Sequence, residues 1–439
     1  MKKNFIKKAA ILTFCLAGST LVSCGQNDVE QTGEIKGTLK VWWPGGSPAA
    51  ESAINEAKAK YEELHEGVKI DIVFQSTPDF YLSYNMALMG NEFPDVAYID
   101  HVYVQRLAYD GAIQNLSEYD LDETKDLFID SVYSPNLYQN DLYALPMSAN
   151  ILTRVYNKAL LKTVLNKEDI ANEDLPSNWE EYIALGDKIK DYNTAHSLTG
   201  NDVNYLTTVP AGTGAESMGA MYYLGMVARE NGTIINEDLT KMTLTSEANF
   251  NAAEKIQQLG KGNYTPTVFS ESKFETGKVA FIEMGPWKLL EYSRMEENSE
   301  NIDFEYAPIM PNIENGNNSS ALGLYSLVMT KKSPKHALAA DFMKFLTTDK
   351  EVQLAHNSVQ YLIPTTKEAL NDEFYKAPEW KVFVEQLNNA VARPGSAAWP
   401  AIEKTTAEFV TGLVNGERDP QYLYSLQAAL DEKLSDLDE

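Results

Sequence analysis

The chain has 439 residues, a net charge of −26 and two cysteines. So acidic a surface argues against nucleic-acid binding, because little on it would neutralise phosphates. Two cysteines are too few for a disulfide scaffold, and a chain this long buries a core large enough to need none.

The N-terminus reads as an export signal. Lys2, Lys3, Lys7 and Lys8 precede an apolar stretch that is too short to span a bilayer comfortably. It closes on Leu21-Val-Ser-Cys24-Gly25, a run that resembles the lipobox of bacterial lipoproteins. The resemblance implies that residues 1–23 are removed and that Cys24 carries a lipid as the new first residue. Loss of four lysines would take the net charge from −26 to about −30. Cys15 would leave with the signal, so neither a disulfide nor a thiolate metal site is expected. Residues 24–35 are polar and without hydrophobic period, and read as a flexible tether.

From Gly37 the pattern becomes globular. Gly37–Trp43 alternates as a strand, and Pro44-Gly-Gly46 turns the chain. Ser47 and Pro48 suit the cap and first residue of a helix whose apolar face is Ile54, Ala57, Tyr61 and Leu64. Strands are predicted over Val68–Phe74 and Pro94–Ile99, with a helix over Phe80–Leu88 between them. Strands alternating with helices at short spacing indicate an α/β sheet.

Further along, Ile151–Asn157 reads as one strand, and Leu175 opens a long helix running through Ile189 with Ser177 as its cap. Residues 214–229 and 246–259 read as helices, Val279–Met284 and Ala321–Thr330 as strands. Pro334 opens a helix that turns Ala337, Ala340, Phe345 and Leu346 inward. The last sixty residues read as helical, with Leu423, Leu426, Leu430 and Leu434 as the stripe of the final helix.

Segments in this order resemble the family 1 extracellular solute-binding proteins, receptors of carbohydrate ABC importers. They include GTLKVWW at 37–43, NEFPDVAYID at 91–100, LYALP at 142–146 and VYNKALL at 155–161. FETGKVAFIEMGPW at 274–287, HALAADFMKFLTT at 336–348 and ARPGSAAWPAIEK at 392–404 continue the match. The resemblance implies an α/β, two-lobed periplasmic-binding-protein-like fold (type II), with hinge strands joining the lobes and a ligand cleft between. Lobe 1 is expected over about 36–147 and 308–366, lobe 2 over about 148–307 and 367–439. The expected partners are a small sugar, the permease subunits of an importer, and the membrane through the lipid on Cys24. The protein is expected to be a monomer facing outside the cytoplasm and to need no cofactor.

Ligands of open α/β sheets sit beyond the C-terminal ends of strands. A sugar offers C–H faces that suit aromatic rings and a hydroxyl rim that suits carboxylates, amides and arginine. These rules select the turns after strands. After the first strand they point to Trp43, Gly45 and Gly46, with alternation sending Trp43 to the cleft and Trp42 to the core. After the second they point to Asp79, and after the third to Asp100 and His101. Gly285-Pro-Trp287 resembles the GPW segment of the maltodextrin receptors, whose tryptophan stacks on a sugar ring, and Trp399 matches another stacking position there. Tyr325 and Arg393 complete the candidate set. Trp179 and Trp380 read as structural.

The stretch Ser148–Arg154 lacks an acidic residue that those receptors carry before their YNK segment, so maltodextrin itself is not implied; Asn150 or Arg154 could stand in. The alternatives are a polyamine, which would need converging acids around aromatics, and a phosphorylated polyol, which would need arginines or helix N-termini. A secreted carbohydrate-active enzyme is a further alternative. No Walker, HExxH, GxSxG or EF-hand pattern occurs, and the five histidines lack ligand spacing.

Overall fold

The computed structural model describes residues 33–75, 80–90, 92–299, 302–313 and 316–436. Cys24 and Asp79 lie outside the described residues.

Two sheets organise the chain. The larger runs in the order Ile363–Pro364, Ala144–Ile151, Ser320–Met329, Val96–Asp100, Gly37–Pro44, Val68–Gln75, with Ala390–Ala392 also paired to Ser320–Met329. The three N-terminal strands are parallel, and Ser320–Met329 is antiparallel to its neighbours on either side. Val96–Ile99 is buried throughout, as expected of a central strand covered on both faces. On one face pack the helices Pro48–Leu64, His336–Thr348 and Lys350–Val359, which bring Ile54, Tyr61, Phe342, Leu346 and Val352 against Leu39, Val41 and Val68. Ser47 caps the first of these by accepting from the Ala50 N–H at 3.2 Å, and Pro48 follows. On the other face Phe80, Tyr84, Val104 and Leu107 close a second layer.

The smaller sheet runs Phe304–Ala307, Thr153–Asn157, Val279–Met284, Tyr205–Thr207. It belongs to a largely helical lobe built from Trp179–Ala195, Glu216–Arg229, Glu247–Lys261, Trp399–Asn415 and Leu423–Ser435. The leucine stripe of the last helix is buried in this core, as its spacing predicts.

Three sequence expectations need correction. The run Ile151–Asn157 is not one strand: Ile151 ends a strand of the large sheet, Thr153 begins one of the small sheet, and Leu152 joins them. Both halves are apolar and buried, so the change of sheet leaves no mark in the hydrophobic pattern. The helix expected from Leu175 begins at Trp179, capped by Asn178, which accepts from the Glu181 N–H at 3.0 Å; Ser177 instead donates to the Glu181 carboxylate. Finally, residues 367–392 do not pack with the small sheet. Tyr375, Trp380, Phe383 and Leu387 cover Ala149, Ile151, Leu322, Leu324 and Ile363 of the large one.

The chain therefore passes between the two bodies three times, at Ile151–Thr153, between Ala307 and Ser320, and between Ala392 and Trp399.

Candidate functional site

A cavity of about 520 Å³ opens between the two bodies. The large sheet supplies its floor from strand ends: Trp43 to Gly46, Tyr98 to Asp100, Asn150, Gly323 and Tyr325. Facing them are Ser217, Met218 and Met221, on the first turns of Glu216–Arg229, and Trp287, which follows the strand Val279–Met284. Arg393 enters from the third crossing.

Aromatic rings make one wall. Trp43 and Tyr98 stack with centroids 4.3 Å apart and planes 3° from parallel, and Tyr98 continues to Tyr325 at 5.4 Å. Tyr81 and Tyr103 stack separately at 3.6 Å. Trp43 reaches the cavity although it is only 4% exposed, since it shares its face with the buried Leu39 and Val41. The predicted division of labour between the two tryptophans thus takes another form. Trp42 packs edge-on to Phe80 on the opposite face, and Trp43 is core and wall at once.

The wall carries the acid Glu51 and one buried ion pair. Arg393, 4% exposed, donates through Nη2 to Asp100 Oδ1 at 2.7 Å and through Nε to the Leu322 carbonyl at 3.4 Å. Burial alone would raise the Asp100 pKa; Arg393, with His101 beside it, holds it instead at about 2. Burial likewise pulls on the guanidinium, but the Asp100 charge outweighs it and raises the Arg393 pKa. Glu403, on the first turns of the helix Trp399–Asn415, is pushed up by burial despite the nearby Arg393. Burial also lifts Tyr103 and Tyr325 to about 12, so both hydroxyls remain protonated donors.

Backbone approach is used twice. A Cβ on Gly323 would run into the Asn150 side chain, and one on Gly285 into the Trp287 ring. Each glycine leaves room for a neighbour that lines the cavity. Gly285 itself is off the wall, a correction to its expected place as a contact.

Two other candidates lie elsewhere. His101 is 0% exposed; its Nδ1 lies 3.0 Å from the Leu324 carbonyl, and its Nε2 has no hydrogen-bond partner among the described residues. The strand ends at Asp100, and the 3-10 turn that follows rotates His101 inward. Trp399 is 0% exposed within the helical lobe, and its indole N–H is likewise without a partner among the described residues. The helix starting at Trp399 points that ring into the core and turns Glu403, one turn on, toward Arg393. Arg154 is off the cavity as well. It donates to the Pro176 carbonyl near the buried Arg229–Glu283 pair, and burial lowers its pKa to about 10.

Sequence reasoning did not reach Tyr98, Met218, Met221 or Gln360, all on the wall. Tyr98 sits inside a strand that reads as core, and Met218 and Met221 are an i, i+3 pair that reads as an ordinary apolar helix face.

Two lobes around separate sheets, three crossings and a wall of stacked rings between them define a binding protein of the cleft type. The description of bacterial extracellular solute-binding proteins matches residues 56–382, and the chain belongs to that family. It is 23% identical over 429 residues to a galactooligosaccharide-binding protein of Bacillus subtilis (strain 168), covering 94% of each chain. To a maltooligosaccharide ABC transporter solute-binding lipoprotein of Streptococcus pneumoniae serotype 4 it is 24% identical over 439 residues, covering 95% of each. Among solved structures, the cyclic alpha-maltosyl-1,6-maltose binding protein from Arthrobacter globiformis superposes with a TM-score of 0.77 at 19% identity, over 91% of this chain and 100% of that one.

Proposed function

We propose that this protein captures a sugar or oligosaccharide in the interlobe cleft and delivers it to an ABC importer. The observation that carries this reading is the ring wall Trp43–Tyr98–Tyr325 with Trp287 on the facing lobe, beside the Asp100–Arg393 pair. Rings suit the C–H faces of a sugar, and charged groups suit its hydroxyls. The relatives named for galacto- and maltooligosaccharides support the same class.

The charge pattern favours a neutral ligand. A polyamine would want several converging free carboxylates, but Asp100 is engaged by Arg393, which leaves Glu51 as the one other acid on the wall among the described residues; a phosphate would want a free arginine, and Arg393 is engaged by Asp100. Within this reading Trp287 and Tyr325 contact the sugar rings, and Asp100, Arg393 and Asn150 contact the hydroxyls. Trp43 backs the ring wall, and Gly45 and Gly46 bring backbone close. No catalytic step is assigned.

Lobe 1 on this reading comprises 37–151 with 320–392, and lobe 2 comprises 153–307 with 399–435, pivoting at the three crossings. A ligand that touches both lobes stabilises the closed form by its extra contacts there, and the closed form is what a permease would recognise. A lipid on Cys24 holds the receptor outside the cytoplasm near that permease.

Thermal unfolding with malto- and galacto-oligosaccharides, spermidine and a phosphorylated polyol tests the reading. A ligand at a hundred times its Kd adds about 2.7 kcal/mol of stability. A rise in Tm with a sugar is the expected result. A rise with spermidine or the phosphorylated polyol and none with sugars would replace it.

A further inference from the structure

Arg229 closes the helix Glu216–Arg229, whose first turns carry Ser217, Met218 and Met221 to the cleft. It is 3% exposed and does not border the cleft cavity itself. Through Nη1 and Nη2 it donates to the two carboxylate oxygens of Glu283, at 2.8 and 2.7 Å. Glu283 lies in the strand Val279–Met284, which leads directly to Trp287. The pairing is selective. Arg154 is the cross-strand partner of Glu283 in the small sheet, yet its Nη1 donates to the Pro176 carbonyl at 2.9 Å, and the carboxylate goes to the arginine of the helix. One ion pair thus ties together two elements of the small-sheet lobe, each of which carries part of the cleft wall.

The third nitrogen of Arg229 reaches the second crossing. Its Nε donates to the Ser319 carbonyl at 2.9 Å. Two more bonds join the helix to the same segment: the Asn312 amide donates to the Met226 carbonyl at 3.0 Å, and the Asn317 amide to the Ala228 carbonyl at 2.9 Å. Both carbonyls belong to the last turn, whose C=O groups lack partners further along the helix. A glycine at 225 lets the helix come this close, since a Cβ there would lie 3.3 Å from Arg229 Nη2 and 3.8 Å from the Ser319 oxygen.

From the large-sheet lobe the same crossing is held by Gln386, which is 2% exposed. Its Oε1 accepts from the Ile309 N–H at 3.1 Å and its Nε2 donates to the Asn318 carbonyl at 2.7 Å, so one side chain spans both ends of the crossing.

We propose that Arg229 is a positioning residue for ligand capture: it fixes the small-sheet face of the cleft to the second crossing, so that this face and the crossing move as one body about Gln386. This rests on the interlobe capture reading above. Closure brings Met218, Met221 and Trp287 up to a ligand resting on the floor of the large sheet. A wall free to shift against the crossing would have to be ordered by the ligand itself, and that cost would come off the affinity.

Arg229→Lys tests it. Lysine keeps a cation for Glu283, but its single nitrogen cannot hold both carboxylate oxygens and the Ser319 carbonyl as the three nitrogens of arginine do. Three measurements are compared with the native protein: Tm, calorimetric affinity for maltotriose and galactotriose, and amide hydrogen exchange without ligand. The expected result is a Tm close to native, an affinity at least tenfold weaker, and exchange at least tenfold faster in 279–284 and 316–319 with Leu423–Ser435 unchanged. Native affinity in the lysine variant, or unchanged exchange at the crossing, would overturn the proposal and leave Arg229 as a stabilising ion pair only. Should the lysine variant fail to fold, Asn317→Ala removes one bond to the crossing and leaves the ion pair intact; it should weaken binding at least threefold and speed exchange in 316–319, and native values for both would overturn the proposal equally. If the native protein binds neither trisaccharide, the sugar reading falls, and the affinity arm is run with whichever of spermidine or the phosphorylated polyol raises Tm.

Discussion

Asp100 and Arg393 are 293 residues apart in the chain and 2.7 Å apart in space. The pair ties the end of a central strand of the large sheet to the third crossing between the lobes. It is therefore both a contact surface of the cleft and a fixed point of the hinge. Removing one partner of a buried pair leaves an uncompensated charge and costs about 3–5 kcal/mol. Arg393→Ala should lower the stability to urea by that order and weaken ligand binding, whereas Arg393→Ala with Asp100→Asn should recover part of the stability and none of the binding. Because the folded Asp100 pKa is depressed, from 3.8 to about 2, the pair's contribution is present above pH 3.8 and lost as pH falls through 2. Ligand affinity should not change on account of this pair between pH 4 and pH 8.

Two tryptophans should part company. Trp287 is partly exposed on the cavity wall and Trp399 is fully buried in the helical lobe. Trp287→Ala should weaken ligand binding at least tenfold with little change in Tm. Trp399→Ala should destabilise by about 3–5 kcal/mol while the folded fraction keeps its affinity. Calorimetry and urea unfolding on both variants separate the two roles; a Trp399→Ala protein that folds normally and fails to bind would return that residue to the site.

Gly285→Ala tests the ring's position from behind. The added Cβ would occupy the space of the Trp287 ring and force it aside. Binding should fall about as far as in Trp287→Ala, with far-UV circular dichroism unchanged. Unaltered affinity would mean that the ring is free to move without consequence.

His356 sets a pH response. Burial beneath Trp43 and Tyr98 lowers its pKa from 6.5 to about 3. Below pH 6.5 the unfolded chain binds a proton that the folded one refuses. The contribution of this group is thus fully present above pH 6.5 and declines toward pH 3, by about 1.4 kcal/mol per pH unit. Between pH 7 and pH 5 the native protein should lose roughly 2 kcal/mol more than His356→Gln does. The His356 Nε2 accepts from the Gln360 amide at 2.9 Å, and Gln360 lines the cleft, so protonation should also disturb the wall. Equal losses in the two proteins would place the titration elsewhere.

The anchor has its own test. Cys24→Ser should leave ligand binding intact and move the protein from the membrane to the soluble fraction. Retention in the membrane would show that residues 1–23 are a span rather than a signal.

Much of this protein is legible in its sequence because local rules act over short distances. The alternation of Gly37–Pro44, the cap at Ser47, the strand Val279–Met284 and the leucine stripe of Leu423–Ser435 follow from side-chain period and backbone chemistry alone. So does the grouping of candidate residues at strand ends. What local rules do not reach is which sheet a strand joins and which way a ring turns at the start of a helix. Ile151 and Thr153 are both buried, yet they serve different sheets, because the pairing partner and not the period decides it. Trp287 and Trp399 each follow a turn, but a 3-10 turn leaves the first on the cleft and a helix start carries the second into the core. The partner of Asp100 comes from the far end of the chain, and only the folded crossing brings Arg393 within hydrogen-bonding distance.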